Sequence, residues 1–166
     1  MIHYQNPRLV VGTIPVWQDR ILLCLRAIEP RAGFWTLPAG FLENGETAAE
    51  GAIRETDEEA GARVALGPPF SLLDVVHVHQ VHLFYRATLL DTAFGPGPES
   101  LEVKLCKESE IPWDNIAFQT ISTTLKLFFS DRLNGEFGMH AGSINESRRF
   151  VASPPHAAGV PAFVRT

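Results

Sequence analysis

At 166 residues, with 45% hydrophobic content and a formal net charge of −5, the chain is long enough for one domain with a buried core and lacks the basic excess of a nucleic-acid binder. No apolar stretch approaches the roughly 18 residues that cross a bilayer, and the start MIHYQNPRLVVG has neither the basic end nor the apolar centre of a signal peptide, so a cytoplasmic location is expected. Cys24 and Cys106 sit in apolar runs outside any Cys-x-x-Cys, which predicts reduced, buried thiols and no zinc site.

Arg8 to Trp17 and Ile21 to Leu25 are apolar and β-branched runs separated by Gln18-Asp19-Arg20, and they predict a β-hairpin. Ala27 to Gly33 reads as a loop, and Phe34 to Leu37 as a short strand entering Pro38-Ala39-Gly40. Asn44 and Gly45 form a turn, Thr47 and Glu50 make a capping box, and the helix they start runs to about Ala60, where Gly61 stops it. Val64 to Leu66 and Phe70 to Gln80 look extended on either side of Gly67-Pro68-Pro69, and Val81 to Leu90 predicts another strand.

Asp91 to Ser100, with Gly95-Pro96-Gly97-Pro98, is too rich in breakers for regular structure and is a loop long enough to carry function. Leu101 to Cys106 alternates as a half-buried strand does, with Leu101, Val103 and Leu105 on one side. Ile111-Pro112-Trp113 makes a turn, and residues 115–133 have the spacing of an amphipathic helix ended by Asn134-Gly135. From Ala141 onward large apolar residues thin out, which predicts a domain over residues 1–140 and a loosely held tail over 141–166. Mixed strands with an acidic helix and a second, C-terminal helix predict an α/β class and an α/β/α sandwich with a mixed sheet.

On the first helix Glu55, Glu58 and Glu59 stand at i, i+3 and i+4, so three carboxylates share one face. Like charges that close repel one another unless a cation lies between them. A hard divalent ion, Mg2+ or Mn2+, suits carboxylate oxygens and keeps waters that can be activated.

The stretch GFLENGETAAEGAIRETDEEAGA, residues 40–62, resembles the Nudix box, Gly-x5-Glu-x7-Arg-Glu-U-x-Glu-Glu-x-Gly-U with U a bulky aliphatic residue, through Gly40, Glu46, Arg54, Glu55, Glu58, Glu59 and Gly61. Thr56 and Ala62 depart at the two U positions, and Pro38-Ala39-Gly40 stands where the family commonly has Pro-Gly-Gly. The runs at residues 2–7, 35–40 and 99–103 look like the branch of Nudix hydrolases related to NADH, ADP-ribose and FAD pyrophosphatases. That branch often carries a zinc ribbon before the segment matching Ile2 to Pro7; here Met1 precedes it, and no ribbon is expected in this chain.

The resemblance implies hydrolysis of a nucleoside diphosphate linked to a group X, with the Nudix α/β/α fold. It implies metal ligation by Glu55, Glu59 and Glu58, with the Gly40 carbonyl and Glu99 as further ligands. Glu46 and Arg54 are expected to pair and hold the loop against the helix. The base that activates water stays open between a box glutamate, Glu58, and the later carboxylates Glu99 and Glu102, Glu99 being favoured. A homodimer through the N-terminal strands is also implied, although the core could use the run Leu9 to Val16 equally well.

Arg26 and Arg31 are candidates for holding phosphate or stacking on a base, with surface solubility explaining each equally well. His77 and Gln80 are candidates for lining the nucleoside pocket. Read on one strand, His77 and His79 share a face and His82 takes the other, so the three do not converge on a metal. Phe34, Trp35 and Trp113 could stack on adenine, but core packing suits most of them better. Two other readings are a nucleotide-sensing module without catalysis and a nucleoside triphosphate pyrophosphatase.

Overall fold

A computed structural model describes residues 2–153. Strand β1 (Arg8–Trp17) turns through Gln18-Asp19 into β2 (Arg20–Arg26), with Val16 opposite Ile21, which is the expected hairpin. After the 27–33 loop come two short strands, β3 (Trp35–Thr36) and β4 (Ala39–Phe41). Helix α1 (Ala48–Ala60) follows, then β5 (Val64–Val75), β6 (Gln80–Leu89), β7 (Ser100–Cys106), helix α2 (Gln119–Asn134), β8 (His140–Ile144) and β9 (Phe150–Ala152). They form one mixed sheet in the order β3-β2-β1-β6-β5-β8-β9, with β4 paired to β1 and β7 to β2. The β1/β6 and β5/β8 pairs are parallel and the rest antiparallel.

Alternation along the strands sends side chains to opposite faces, and each face takes one helix. Ile14, Ile21, Leu23 and Phe84 pack with Ile121, Leu125, Phe128 and Phe129 of α2. Val11 and Leu83 pack with Ala52 of α1, while Leu22 and Cys24 meet Ala60 and Ala62 at its C-terminal end. This is the expected α/β/α sandwich. The apolar run Leu9 to Val16 is taken up by the sheet interior, where β1 is flanked by β2, β4 and β6 and Val11 and Ile14 are fully buried. Cys24 and Cys106 are free and buried, and burial pushes both thiols above their ordinary pKa. No helix among the described residues is long and apolar enough to cross a membrane.

Three expectations need correction. Residues 76–79 are not strand: β5 ends at Val75, a single 3-10 turn spans Val76–Val78, and His79 reverses the chain at φ 57°, so Val75 pairs with Gln80. The reversal lies in a β-branched run without glycine, proline or asparagine, so no turn chemistry announces it. Conversely, Gly67-Pro68-Pro69 does not break β5. Its ladder with β6 slips there, and β8 pairs only with Ser71–Asp74, so the prolines fall where β5 is a sheet edge.

The third correction concerns the tail. Residues 140–144 add to the sheet beside β5, and residues 150–152 pair back on them. Ala141, Gly142 and Ser143 carry little apolar surface, and β8 is held by backbone pairing, by buried Ile144 and by His140 Nε2 bonding Asp131 at 2.8 Å. The rest of the expected tail, residues 154–166, lies outside the described residues.

Candidate active site

Thr47 caps α1, its hydroxyl accepting from the Glu50 amide at 3.1 Å and donating to the Glu50 carboxylate at 3.0 Å. Gly61 ends the helix in the left-handed region at φ 58°. The fixed helix holds Glu55, Glu58 and Glu59 toward β4 and the 91–100 loop. That loop wraps the helix end: the Gly95 amide donates to the Ala60 carbonyl (2.9 Å) and the Gly97 amide to the Glu59 carbonyl (3.2 Å). A cavity of about 550 Å³ is lined by Glu55, Glu58, Glu59 and Glu99 together with Arg8 and Arg54.

Each carboxylate has its own environment. Glu59 Oε2 accepts from the Ala39 amide at 3.1 Å, yet burial, with Glu55 and Glu99 adding repulsion, pushes its pKa up to about 8. Glu55 is buried, and its pKa is also raised by burial, against the pull of Arg54. Gly40 lies directly under it: a β-carbon at position 40 would land on the Glu55 carboxylate. Glu58 is more open, with its side chain 56% exposed.

Arg54 ties this side of the site together. It grips Glu46 through two nitrogens at 2.7 and 3.0 Å, donates Nη1 to Glu55 at 2.8 Å and to Glu58 at 3.1 Å, and donates Nη2 to the Phe41 carbonyl at 3.2 Å. The guanidinium holds Glu46 down at about 2, below the ordinary carboxylate range. Glu46 in turn accepts from the Glu43 amide at 2.9 Å, so the pair pins the 43–46 turn to the helix.

The donor set is all hard oxygen, two of its members have raised proton affinity, and Gly40 leaves room beneath Glu55; these features suit a hard divalent cation. Among the described residues no three carboxylate, histidine or cysteine groups stand close enough to enclose an ion, and Arg54 Nη1 lies between Glu55 and Glu58. Closing these groups on a cation therefore requires the carboxylates to draw together and Arg54 to keep its Glu46 contacts alone.

Glu99 lines this cavity; Glu102, on β7 opposite Leu25, is exposed and lies outside the lining. Arg26 borders a second, smaller cavity of about 240 Å³, walled by Phe84 and Phe118 and joined to the first through Phe41. Gln80 borders this second cavity as well. Arg31, His77 and Gln80 border a third, of about 430 Å³. Trp35 is core, and Trp113, 36% exposed, stands at the edge of the third cavity.

Two residues here are not among those assigned to the site from the sequence, where His82 is weighed only as a metal ligand and Arg8 is passed over. Arg8 opens β1, and its guanidinium lies over the Phe41 ring at 3.4 Å, facing the acid cavity from a segment far from the box. His82 is buried, and burial pushes it down to about 4, so it is neutral near pH 7. Its ring joins Gln80 Oε1 and Thr120 Oγ1, each at 2.8 Å. With Nε2–H donating to the Gln80 carbonyl oxygen, Nδ1 accepts from Thr120, and the amide NH2 of Gln80 is left for a ligand.

The NUDIX domain family matches residues 6–124. The crystal structure of a NUDIX hydrolase from Nitrosomonas europaea is 51% identical, with a TM-score of 0.86 over 88% of this chain and 83% of that one. An ADP-ribose pyrophosphatase from Streptococcus suis shares the fold at 20% identity and a TM-score of 0.66, over 83% of this chain and 99% of its own. Among curated proteins, the ADP-ribose pyrophosphatase of Methanocaldococcus jannaschii is 41% identical over 58 residues, 35% of this chain and 34% of its own length. The putative 8-oxo-dGTP diphosphatase of Bacillus subtilis is 31% identical over 95 residues, 57% of this chain and 62% of its own length. This chain thus spans about a third of the first relative and under two thirds of the second.

Proposed function

Because the chain belongs to the Nudix family, we propose that it is a divalent-metal-dependent pyrophosphatase that hydrolyses the diphosphate of a nucleoside diphosphate linked to X, with ADP-ribose, FAD, NADH and nucleotide sugars as candidates. The observation that carries the proposal is the convergence of Glu55, Glu58, Glu59 and Glu99 on one cavity that also presents Arg8 and Arg54. The partial identity to an ADP-ribose pyrophosphatase supports the first of these substrates.

Glu55, Glu59 and Glu58 would hold the cation, with Gly40 and Glu99 at its margin. Mg2+ or Mn2+ bound there offsets phosphate charge and acidifies water at neutral pH. The remaining tasks fall to the chain's own groups. Arg8, stacked on Phe41, is placed to take phosphate oxygens at the cavity's edge. Glu99 is the favoured proton acceptor, because it faces the cavity without an arginine partner among the described residues, whereas Glu58 is engaged by Arg54. Arg26, Phe118 and the oriented amide of Gln80 border the adjoining cavity, which suits a nucleoside.

The test is turnover of the four substrate types with Mg2+ or Mn2+, products identified by mass, beside the Glu59→Gln variant. Two phosphate-bearing fragments from the wild type and none from the variant are expected; intact substrates throughout would overturn the nucleoside diphosphate-X reading. The match to a putative 8-oxo-dGTP diphosphatase favours a second reading, a nucleoside triphosphate pyrophosphatase, which would instead release pyrophosphate. A sensing module would bind these nucleotides and cleave none.

A further inference from the structure

The third cavity has a composition opposite to that of the acid one. Arg31, Arg148 and His77 stand around it, and among the described residues no carboxylate lines it, in a protein whose net charge is −5. Neither arginine makes an ion pair among the described residues. They come from separate loops, and both hold φ in the left-handed region, at 64° for Arg31 and 59° for Arg148. At Arg148 the β8–β9 turn sets this backbone, the Arg148 amide donating to the Asn145 carbonyl at 2.8 Å. Two exposed guanidiniums without ion-pair partners among the described residues border one concavity, where an anion could take hydrogen bonds from both.

The cavity is continuous with the nucleoside cavity, with which it shares Pro30, Gln80, His82, Phe118 and Thr120. The nucleoside cavity meets the acid one at Phe41. From the box outward the order is therefore carboxylates, aromatic walls, then arginines. Gln119 and Thr120, at the start of α2, border the same wall, and the helix cap there, Phe118, makes no side-chain cap bond.

We propose that this cavity binds a phosphate monoester carried on the ribose of the nucleoside half, so that the preferred substrate is a nucleoside diphosphate derivative bearing a third, sugar-linked phosphate. The inference rests on the hydrolase reading above for its substrate, but not for the binding site itself. It also assigns Arg148 a role in substrate choice, with Arg31 and His77 beside it.

The test compares pairs that differ by one phosphate: NADPH with NADH for the 2′ position, and coenzyme A with its dephospho form for the 3′ position. In at least one pair the phosphorylated member is expected to show a kcat/KM higher by about tenfold, equivalent to ~1.4 kcal/mol. Arg148→Ala and Arg31→Ala should each bring that ratio to within about twofold of one, and Arg148→Lys should retain part of it. Ratios of one or below in both pairs, or a preference that survives both alanine variants, would overturn the proposal. Calorimetric binding of adenosine 2′,5′- and 3′,5′-bisphosphate against AMP separates the two readings. If one bisphosphate binds about tenfold tighter and loses that advantage in Arg148→Ala while no substrate is cleaved, the anion site stands and the hydrolase reading falls. Equal binding of the bisphosphates and AMP overturns the anion site whatever the turnover.

Discussion

Threonine 56 stands where the Nudix box has a bulky aliphatic residue, and its surroundings give a test of why it is tolerated. Thr56 and Thr13 are both fully buried between α1 and β1, with their hydroxyl oxygens 2.7 Å apart, and the Thr56 hydroxyl donates to the Ala52 carbonyl at 2.7 Å. The proton order follows: Thr13 donates to Thr56, and Thr56 donates to Ala52. Thr56→Val therefore leaves the Thr13 hydroxyl buried without an acceptor, at about 1–3 kcal/mol. At ~2 kcal/mol the folding equilibrium shifts roughly 30-fold, and the melting point of a domain this size falls by about 4–8 °C. Thr13→Val removes a donor from Thr56, which still has Ala52, so about 0.5–1.5 kcal/mol is expected. The double variant replaces both hydroxyls with methyls of similar shape, and should be less destabilised than Thr56→Val alone. Valine and threonine have nearly equal helix propensity, so the comparison reports the hydrogen bond. Urea unfolding of the four proteins decides it; additive losses in the double variant would refute the proposed chain of donors.

Gly40→Ala drives a β-carbon onto the Glu55 carboxylate, and activity should fall by about 10–100-fold with the fold retained by circular dichroism; activity within twofold of wild type would remove Gly40 from the site. Arg54→Ala strips Glu46 of the guanidinium that holds it at about 2, so its carboxyl should titrate near the ordinary range by 13C NMR, and turnover should drop as the 43–46 turn loosens. In chelator, Glu59 has a folded pKa near 8, above its unfolded value, so its contribution to stability is fully present below about 4.5 and is lost as pH rises through 8. Above about 7.5 His82 is neutral in both states, so urea midpoints should fall between pH 7.5 and 9 in the wild type and fall less in Glu59→Gln. Binding Mg2+ at pH 7 should release a proton, measurable as a buffer-dependent enthalpy that Glu59→Gln removes.

What could be read from the sequence was local. The capping box at Thr47 and Glu50, the stop at Gly61 and the i, i+3, i+4 spacing of the glutamates all act within a few residues, and α1 forms over the expected span. The hairpin from β1 to β2 is likewise short-range. Features that depend on distant partners did not show. β8 draws on an edge that β5 supplies from some 70 residues earlier, and the turn at residues 76–79 is imposed by β5–β6 register on residues that favour strand. His77 and His82 were thereby misplaced relative to one another: the first is exposed in the turn, the second buried beneath Thr120.

The same distinction separates the two ends of the site. The carboxylates come mostly from one helix, so a fixed spacing suffices to write them, and only Glu99 is delivered from outside it, by a loop tied to the helix end through Gly95 and Gly97. The two cavities beside the carboxylates are assembled from the 27–33 loop, the 76–80 turn, the start of α2 and the 145–149 turn, none of which is adjacent in sequence. Their alignment depends on buried His82, which clamps Gln80 of β6 to Thr120 of α2 across the two elements. A substitution in any one of these segments can therefore change which substrate is held without disturbing the helix that carries the carboxylates. His82→Phe tests this division: the Gln80 amide loses its anchor, so KM for any nucleotide substrate should rise by about tenfold or more, with kcat altered less. An equal fall in kcat with KM unchanged would place His82 with the carboxylates instead.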